Sequence, residues 1–298
     1  MLRSKYRSIS ILLVVGLMLS VFAFSAGDVY AESYDKPEYI AHRGWSSKAP
    51  ENTLAAFRLA AKNPKFYGVE FDVWEASYPD ITKTIKDEEG NRQTVTVSQN
   101  PFLLVMHDEN IRRTCGVSKN VRKISRKTLG CYTIKRGNNV SRYKGQKIPT
   151  VEESLDTIYK YSKGAVPVIE LKHRLSKRAL KYLLKYLDGR KAVIISFEFS
   201  AVSDTVKMAR KLGISDNIQT MYLLSALSTR EYASVIRKIR SAGIDCISLK
   251  YNAVSKSTIK RFHKSKIEVC VWTLPNKSTA RRYARMGVDY ITANGAVY

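Results

Sequence analysis

The chain has 298 residues, 44% of them hydrophobic, so it can fold around one large core and need not form two domains. Its 51 lysines and arginines against 26 aspartates and glutamates give a net charge of +25, which favours anionic partners such as nucleic acid, anionic lipid or a phosphate-bearing polymer. The four cysteines show no CxxC or Cys/His spacing, which argues against a zinc site.

The N-terminus has the pattern of a secretory signal peptide. Three basic residues among the first seven precede an apolar run over residues 9–24, which is shorter than the roughly 20 residues of a membrane span. We expect cleavage after Ala26 or Ala31, with an uncleaved anchor as the alternative. Removal of residues 1–31 leaves 48 basic and 25 acidic residues, a net charge of +23. The mature protein is then expected to be secreted from a bacterial cell or held on its extracellular surface.

Short apolar runs alternate with helix-like stretches after the signal segment. The runs are "EYIAHRG", "YGVEFDVW", "FLLVMHD", "AVPVIELK", "KAVIISF", "NIQTMYLL", "DCISLKY", "EVCVWTL" and "VDYIT". Amphipathic helices are predicted for "NTLAAFRLAAK" and for residues 177–187, 201–212 and 229–242. This order predicts an α/β fold, a single (β/α)8 TIM barrel over residues 32–298, with one of the nine strand candidates outside the barrel wall.

Two segments interrupt this order, and both are expected at the C-terminal face of the barrel because each follows a strand. Residues 76–100, after the second strand, alternate Thr with Ile or Val around "EEGN", which predicts an inserted β-hairpin. Residues 109–150, after the third strand, form a long loop with twelve Lys or Arg and one acid. Cys115 and Cys131 lie in this loop and are candidates for a disulfide in an exported protein.

The strand "YGVEFDVWE" alternates apolar Val69, Phe71 and Val73 with Glu70 and Asp72. Side chains two residues apart on a strand project from one face, so the two carboxylates are expected to share a site. Neighbouring carboxylates repel each other, and such a site therefore takes up either a proton or a cation.

Polar residues recur at the ends of four consecutive predicted strands. Barrel enzymes place their chemistry at the C-terminal ends of their strands, so we expect these residues to form one site. They are His42 and Arg43, then Glu70 and Asp72, then His107, then Glu170 and Lys172. The three carboxylates form the oxygen ligand set of one hard divalent cation, Ca²⁺ or Mg²⁺, with Mn²⁺ also open.

Two histidines flank these acids and are suited to acid and base catalysis. In an in-line displacement at phosphorus, one of His42 and His107 would deprotonate the nucleophile and the other would protonate the leaving alkoxide. Sequence alone leaves open which histidine has which role. Lys172 and Arg43 are expected to hold the negative charge on the phosphoryl oxygens. His173 should face away from Lys172 and is a weaker candidate.

At these residues the chain resembles the glycerophosphodiester phosphodiesterase family. The likeness covers most of the mature chain through "HRGWSSKAPENTLAAF", "GVEFDV", "LVMHDENIRRT", "IPTVEE", "VIELK", "VWTL" and "GVDYIT". It implies a barrel enzyme that hydrolyses glycerophosphodiesters to glycerol 3-phosphate and an alcohol. It also implies that Glu70, Asp72 and Glu170 bind the ion, that His42 and His107 are the acid and base pair, and that Arg43 and Lys172 contact phosphate.

Three further residues are expected close to the site. By the same resemblance, Glu51 in "PENT" would support the groups that contact the substrate, while Phe197 and Trp272 end two later strands and are expected to support the site or line the pocket. The chain departs from the family pattern in a longer connection between the second strand and "MHD", in Pro275, and in "ANGAVY", which replaces a closing acid and proline.

The sequence leaves two alternative functions open. One is another barrel phosphodiesterase, either phospholipase C-like or sphingomyelinase D-like. The other is a non-enzymatic binder of anionic cell-wall polymer, although such a binder would be expected to have lost a histidine or a carboxylate. The expected substrate is a small glycerophosphodiester or a polyanionic glycerol phosphate polymer. No nucleic-acid partner is expected, and the basic charge favours association with the cell wall or a membrane surface.

Overall fold

The computed structural model describes residues 36–78, 81–86, 88–97 and 99–298, so the predicted signal segment lies outside the described residues. Lys36–Tyr298 form one compact unit. Within the described part of the chain, no helix is long and apolar enough to cross a membrane.

Eight parallel strands close into a barrel, which confirms the predicted fold. The barrel closes because the first strand pairs both with the second strand and with the last. The barrel strands are β1 Glu38–Ala41, β2 Gly68–Ala76, β6 Val166–Leu171, β7 Ala192–Ser196, β8 Ile218–Leu224, β9 Cys246–Lys250, β10 Glu268–Leu274 and β11 Tyr290–Ala293. The strands outside the barrel wall are β3 Ile81–Lys86, β4 Arg92–Val97 and β5 Phe102–Val105.

Helices cover the outside of the barrel, and the four predicted helices are confirmed with ends shifted by up to three residues. The helices are α1 Leu54–Ala61, α2 Arg112–Cys115, α3 Arg126–Leu129, α4 Val151–Tyr161, α5 Lys177–Tyr186, α6 Phe199–Leu212, α7 Tyr232–Ala242, α8 Lys256–His263 and α9 Lys277–Met286. Short 3₁₀ turns span Val121–Lys123, Ser215–Asn217 and Tyr251–Ala253. Side-chain caps set the starts of two helices near the site: Thr53 begins α1, and a capping box of Thr150 and Glu153 begins α4.

The two faces of β2 have different surroundings, as the alternating sequence predicts. Val69, Phe71 and Val73 pack outward in a core that also contains Phe57 of α1 and Leu155 of α4. Glu70 and Asp72 therefore point to the inside of the barrel. The barrel interior below them is filled by a separate apolar cluster of Ile40, Val168, Val193, Ile195, Met221, Leu223, Cys246, Cys270 and Tyr290.

The strand candidate that lies outside the barrel wall is β5. It pairs antiparallel with the end of β2, Val105 opposite Val73 and Phe102 opposite Ala76, so it runs back towards the barrel mouth. The sequence left open which of the nine candidates lies outside the wall, because hydrophobic periodicity carries no information on strand direction. His107 follows β5, which runs antiparallel to the barrel strands, and in this way reaches the mouth of the barrel.

The predicted hairpin of β3 and β4 is confirmed as a separate antiparallel pair. The long basic segment packs on a small core of its own, which includes Ile111, Val121 and Ile148. Cys115 is buried, Cys131 is exposed, and the two are not bonded to each other.

Candidate active site

The mouth of the barrel carries a cavity of about 170 Å³. Eight of the predicted site residues line it, and they come from the ends of barrel strands and from the segment after β5: His42, Arg43, Glu70, His107, Glu170, Lys172, Phe197 and Trp272. Asp72 lies beside them and is fully buried. Glu51 lines an adjoining cavity. The structure thus brings these residues together at one place, while their chemical roles stay predictions.

Three carboxylates form the floor of the site. Oxygen atoms of Glu70, Asp72 and Glu170 lie within 4.8 Å of one another, and all three residues are buried. The register of β2 and β6 places Asp72 directly beside Glu170. Glu70 Oε1 and Asp72 Oδ1 are buried without a hydrogen-bond partner among the described residues. Buried polar atoms are usually paired, so Glu70 Oε1, together with Asp72 Oδ1, which among the described groups only the Lys172 ammonium contacts, fits a cation that the two oxygens would share.

Electrostatics separate the three acids. Burial, together with the charges of Asp72 and Glu170, raises the pKa of Glu70 well above its usual range. Burial and Asp72 likewise raise the pKa of Glu170 to about 7. Burial also acts to raise the pKa of Asp72, but Lys172 and Arg43 outweigh it and lower that pKa to about 2. The cluster therefore combines one acid with a lowered pKa and two acids with raised pKa values.

Two cations and an amide hold these acids in place. Lys172 Nζ lies 2.7 Å from Glu170 Oε1 and 3.3 Å from Asp72 Oδ1. Asn52 Nδ2 donates to Asp72 Oδ2 over 2.7 Å. Arg43 Nε lies 3.6 Å from the same Asp72 oxygen. The Asp72 carboxylate thus contacts three polar side chains, whereas those of Glu70 and Glu170 contact fewer.

The turn after β1 brings the backbone of Arg43 to the carboxylate cluster. Arg43 has a positive φ of 55°, and its N–H donates to Glu70 Oε2 over 2.7 Å. Gly44 follows with φ 73°, and a Cβ there would lie 2.7 Å from the backbone carbon of Ala56 in α1. The sequence "HRG" is therefore explained by close packing of this turn on α1 and by the hydrogen bond to Glu70.

His42 is held by a neutral amide. Its Nδ1 lies 2.6 Å from Asn294 Oδ1, beyond the end of β11. When Nδ1 carries the proton and donates to this oxygen, Nε2 is left as a proton acceptor. Burial, followed by the charge of Arg43, lowers the pKa of His42 to about 4. His42 is therefore neutral at pH 7.

His107 is held by a carboxylate. Its Nδ1 lies 2.5 Å from Asp108 Oδ1, and Asp108 Oδ2 accepts from Arg113 Nε over 2.5 Å. Arg113 also makes a two-point contact with Glu51, whose Oε1 accepts from Arg43 Nη1 over 3.0 Å. Burial acts to raise the pKa of Asp108, but Arg113 and His107 hold it below its usual range. A chain of ion pairs therefore links the two histidine-bearing segments.

The walls of the site differ in polarity. Phe197 and Trp272 meet edge to face with ring centroids 5.4 Å apart and form an aromatic wall with Ile195 and Leu223. A second cavity of about 560 Å³ adjoins the first at His42 and Arg43, and its lining includes Ser46, Ser47, Asn138 and Asn294. No described residue of the hairpin lines either cavity.

The remaining histidines lie outside the cavity lining. His173 stacks on Trp74 with ring centroids 5.3 Å apart, in agreement with its predicted direction away from Lys172. His263 Nε2 lies 2.8 Å from Asp289 Oδ2.

Sequence reasoning missed Asn52, Arg113 and Asn294, and it placed Asp108 at a strand end without giving it a role. Asn52 and Arg113 stand inside quoted motifs, "PENT" and "HDENIRRT", and Asp108 directly follows His107. Asn294 carried no signal, since its contact spans 252 positions along the chain. Only the folded chain brings such distant residues together.

Comparison with known proteins shows which family this chain is similar to. A model of the glycerophosphoryl diester phosphodiesterase family matches residues 95–295. The protein YhdW of Bacillus subtilis (strain 168) is 28% identical over 263 residues, which cover 86% of this chain and 93% of that protein. A glycerophosphodiester phosphodiesterase of Caldanaerobacter subterraneus subsp. tengcongensis is 25% identical over 263 residues, 85% of this chain and 91% of that one.

Solved structures share the fold. A phosphodiesterase of Oleispira antarctica, in complex with the product sn-glycerol-3-phosphate, has a TM-score of 0.67 at 20% identity and covers 87% of this chain and 93% of its own. A glycerophosphodiester phosphodiesterase of Thermotoga maritima has a TM-score of 0.61 at 22% identity, with 88% of this chain and 96% of its own covered. At these identities the likeness shows the barrel fold.

Proposed function

Because the chain belongs to the glycerophosphoryl diester phosphodiesterase family, and is thus a phosphoric diester hydrolase, we propose that it hydrolyses glycerophosphodiesters with one divalent cation and two histidines. The products would be glycerol 3-phosphate and an alcohol. The observation that carries the proposal is the cluster of three buried carboxylates in a cavity that also holds two histidines with different partners.

The cation would be held by Glu70, Asp72 and Glu170. Their oxygen atoms suit Ca²⁺ or Mg²⁺, and Glu70 Oε1 is buried without a hydrogen-bond or ion-pair partner among the described residues. When bound, the ion would act as a Lewis acid on the phosphoryl oxygens. It would also offset the burial and the carboxylate repulsion that together raise the pKa of Glu70 and Glu170.

The two histidines would divide the proton transfers according to their partners. His42 is neutral and fixed by Asn294, so its Nε2 is suited to accept the proton of the attacking water. His107 faces an ionised Asp108, which stabilises a positively charged imidazolium, so His107 is suited to protonate the leaving alkoxide. Because His42 is paired with the Asn294 amide and His107 with the Asp108 carboxylate, His42 is favoured as the base.

Arg43 and Lys172 would stabilise the negative charge that develops on phosphorus. Both line the cavity, and both are cations next to the carboxylate cluster. Charged donors in a site that excludes water act more strongly than they do in solution. The aromatic wall of Phe197 and Trp272 would pack against the apolar part of the substrate.

Residues 1–31 would be a signal peptide, and residues 32–298 would work outside the cell as one barrel domain. The support is the basic and apolar pattern of the first residues and the net charge of +23 that the chain keeps after their removal. The same charge favours a glycerol phosphate polymer as a substrate in addition to small diesters, because each repeat of such a polymer is anionic.

Product analysis tests the proposed reaction. The full chain without residues 1–31 is incubated with glycerophosphocholine, and the products are identified by phosphorus NMR. We expect glycerol 3-phosphate and choline. Phosphocholine, or a cyclic phosphate that accumulates, would favour the phospholipase-like alternatives, and an unchanged substrate would favour the binding protein. His42→Ala serves as the inactive control.

A further inference from the structure

Arg113 lies at the centre of the ion-pair chain between the two halves of the site. It stands on α2, where buried Ile111 and Cys115 fix the turn and leave Arg113 directed to the barrel mouth. Its Nε donates to Asp108 Oδ2 over 2.5 Å. Its Nη1 and Nη2 donate to Glu51 Oε2 and Oε1 over 2.9 and 2.6 Å.

Each carboxylate that Arg113 holds has a second partner in the site. Asp108 contacts His107 through Oδ1, and Glu51 contacts Arg43 through Oε1. Arg43 in turn donates its backbone N–H to Glu70. One guanidinium group therefore connects His107, which belongs to the segment after β5, with the turn after β1.

The planar guanidinium is the group that this arrangement requires. It offers several N–H donors in a fixed fork, so it can hold one carboxylate at two points and a second carboxylate at its Nε. A lysine ammonium at this position is a point charge and cannot hold both carboxylates in these orientations. The side chain of the neighbouring Arg112 forms no hydrogen bond or ion pair with the described residues, and its backbone N–H donates to Asn110 Oδ1.

We infer that Arg113 is a positioning residue that keeps the Asp108 carboxylate against His107. It thereby orients His107, the proposed general acid, towards the residues at the ends of the barrel strands. This inference rests on the proposed function, in which His107 protonates the leaving alkoxide. Nothing in the geometry brings Arg113 itself to the reacting atoms, since it does not line the cavity formed by the two histidines and the acids.

The test compares Arg113→Gln with Arg112→Gln, which removes the same charge from the adjacent position. Two substrates are used: glycerophosphocholine, whose alkoxide needs a proton, and the 4-nitrophenyl ester of glycerol 3-phosphate, whose leaving group needs none. We expect Arg113→Gln to lower kcat on glycerophosphocholine by about 10- to 100-fold with KM changed little, and on the nitrophenyl ester by less than about 3-fold. Arg112→Gln should stay within about 2-fold on both substrates.

Two further variants complete the test. In a His107→Ala background, Arg113→Gln should cause no additional loss, because residues that act as a unit are not additive. Arg113→Lys keeps the charge and serves if Arg113→Gln fails to fold; we expect it to lose about 10-fold on glycerophosphocholine.

Three results would overturn the inference: equal losses on the two substrates, a further loss in the His107→Ala background, or full activity of Arg113→Lys. If the wild type hydrolyses neither substrate, the proposed function fails instead.

Discussion

The barrel and the segment after β5 meet at the active site but fix their side chains in different ways. Glu70, Asp72 and Glu170 project from adjacent parallel strands, and the strand register alone sets Asp72 beside Glu170. His107 follows a four-residue strand and is oriented by ion pairs that include Arg113, whose side chain is 47% exposed. Exposed ion pairs are weakened by water and salt, whereas the ladder of a closed barrel is not. The half that carries the three carboxylates should therefore be the robust half of the site, and the half that carries His107 the adjustable one.

Loss of a metal-site carboxylate is expected to have the largest effect. Glu70→Gln or Glu170→Gln should abolish activity, with a loss of about 10³-fold or more, because the ion loses a charged ligand. The fold should survive, since removing a carboxylate also relieves repulsion within the cluster. Activity and metal content are measured together, with Glu88→Gln in the hairpin as the control. A variant that no longer binds metal but remains fully active would contradict the metal-dependent mechanism.

Replacing each histidine separately distinguishes the proposed base, His42, from the proposed acid, His107. His42→Ala should lose about 10²-fold or more on both glycerophosphocholine and the nitrophenyl ester, because the base is needed for either leaving group. His107→Ala should lose as much on glycerophosphocholine but recover most of its rate on the nitrophenyl ester. Initial rates on both substrates decide the matter. The reverse pattern would exchange the roles of the two histidines, and equal losses in both variants would remove the division of labour.

The buried acids also predict how stability depends on pH. The pKa of Glu170 is raised to about 7 from its ordinary value of 4.5. A carboxyl with a raised pKa in the folded state stabilises the fold fully below the ordinary value, and this contribution is lost as pH rises through the raised one. The loss corresponds to roughly 3 kcal/mol at 1.36 kcal/mol per pKa unit.

Urea unfolding of the metal-free protein between pH 4.5 and 8 measures this effect against Glu170→Gln, in which the titrating group is absent. The wild type should lose free energy of unfolding relative to the variant as the pH rises. Parallel curves would show that Glu170 does not carry a raised pKa. Saturation with the cation should abolish the difference in slope, because the ion replaces the proton.

Salt dependence should give the smallest effect and concerns the basic segment alone. Replacing Arg122, Lys123 and Lys127 by Gln should lower kcat/KM for a glycerol phosphate polymer several-fold at 50 mM salt and leave glycerophosphocholine nearly unchanged. Arg126 is spared because it donates to the backbone oxygen of Pro101.

The control replaces Lys181, Lys185 and Lys207, which lie on helices outside the barrel. The Debye length shrinks from about 10 Å at 0.1 M to about 3 Å at 1 M, so the polymer rate of the wild type should fall between 50 and 500 mM salt. Parallel salt curves for polymer and glycerophosphocholine would leave small diesters as the substrates.

Much of the barrel half was predictable from local sequence. The alternation in "GVEFDV" gave the inward direction of Glu70 and Asp72, because the side-chain period of a strand is two. The repeated order of strands and helices predicted the barrel, and the polar residues at the strand ends predicted the location of the site.

The acid half was predictable only in part. His107 was found, but which strand candidate lies outside the barrel wall stayed open, since an apolar run of four residues looks the same in either direction. The contact of Arg113 with Glu51 joins positions 62 apart, and that of His42 with Asn294 joins positions 252 apart. Such contacts depend on tertiary structure, and no local pattern encodes them.

The most direct test of the central claim is a titration of the metal-stripped wild-type protein with Ca²⁺, Mg²⁺ or Mn²⁺ in which bound ion and glycerol 3-phosphate release are recorded together. We predict that the stripped protein is inactive, that one ion binds per chain, and that activity rises in proportion to its binding. Release of glycerol 3-phosphate at the full rate from protein shown to contain no metal would contradict the account.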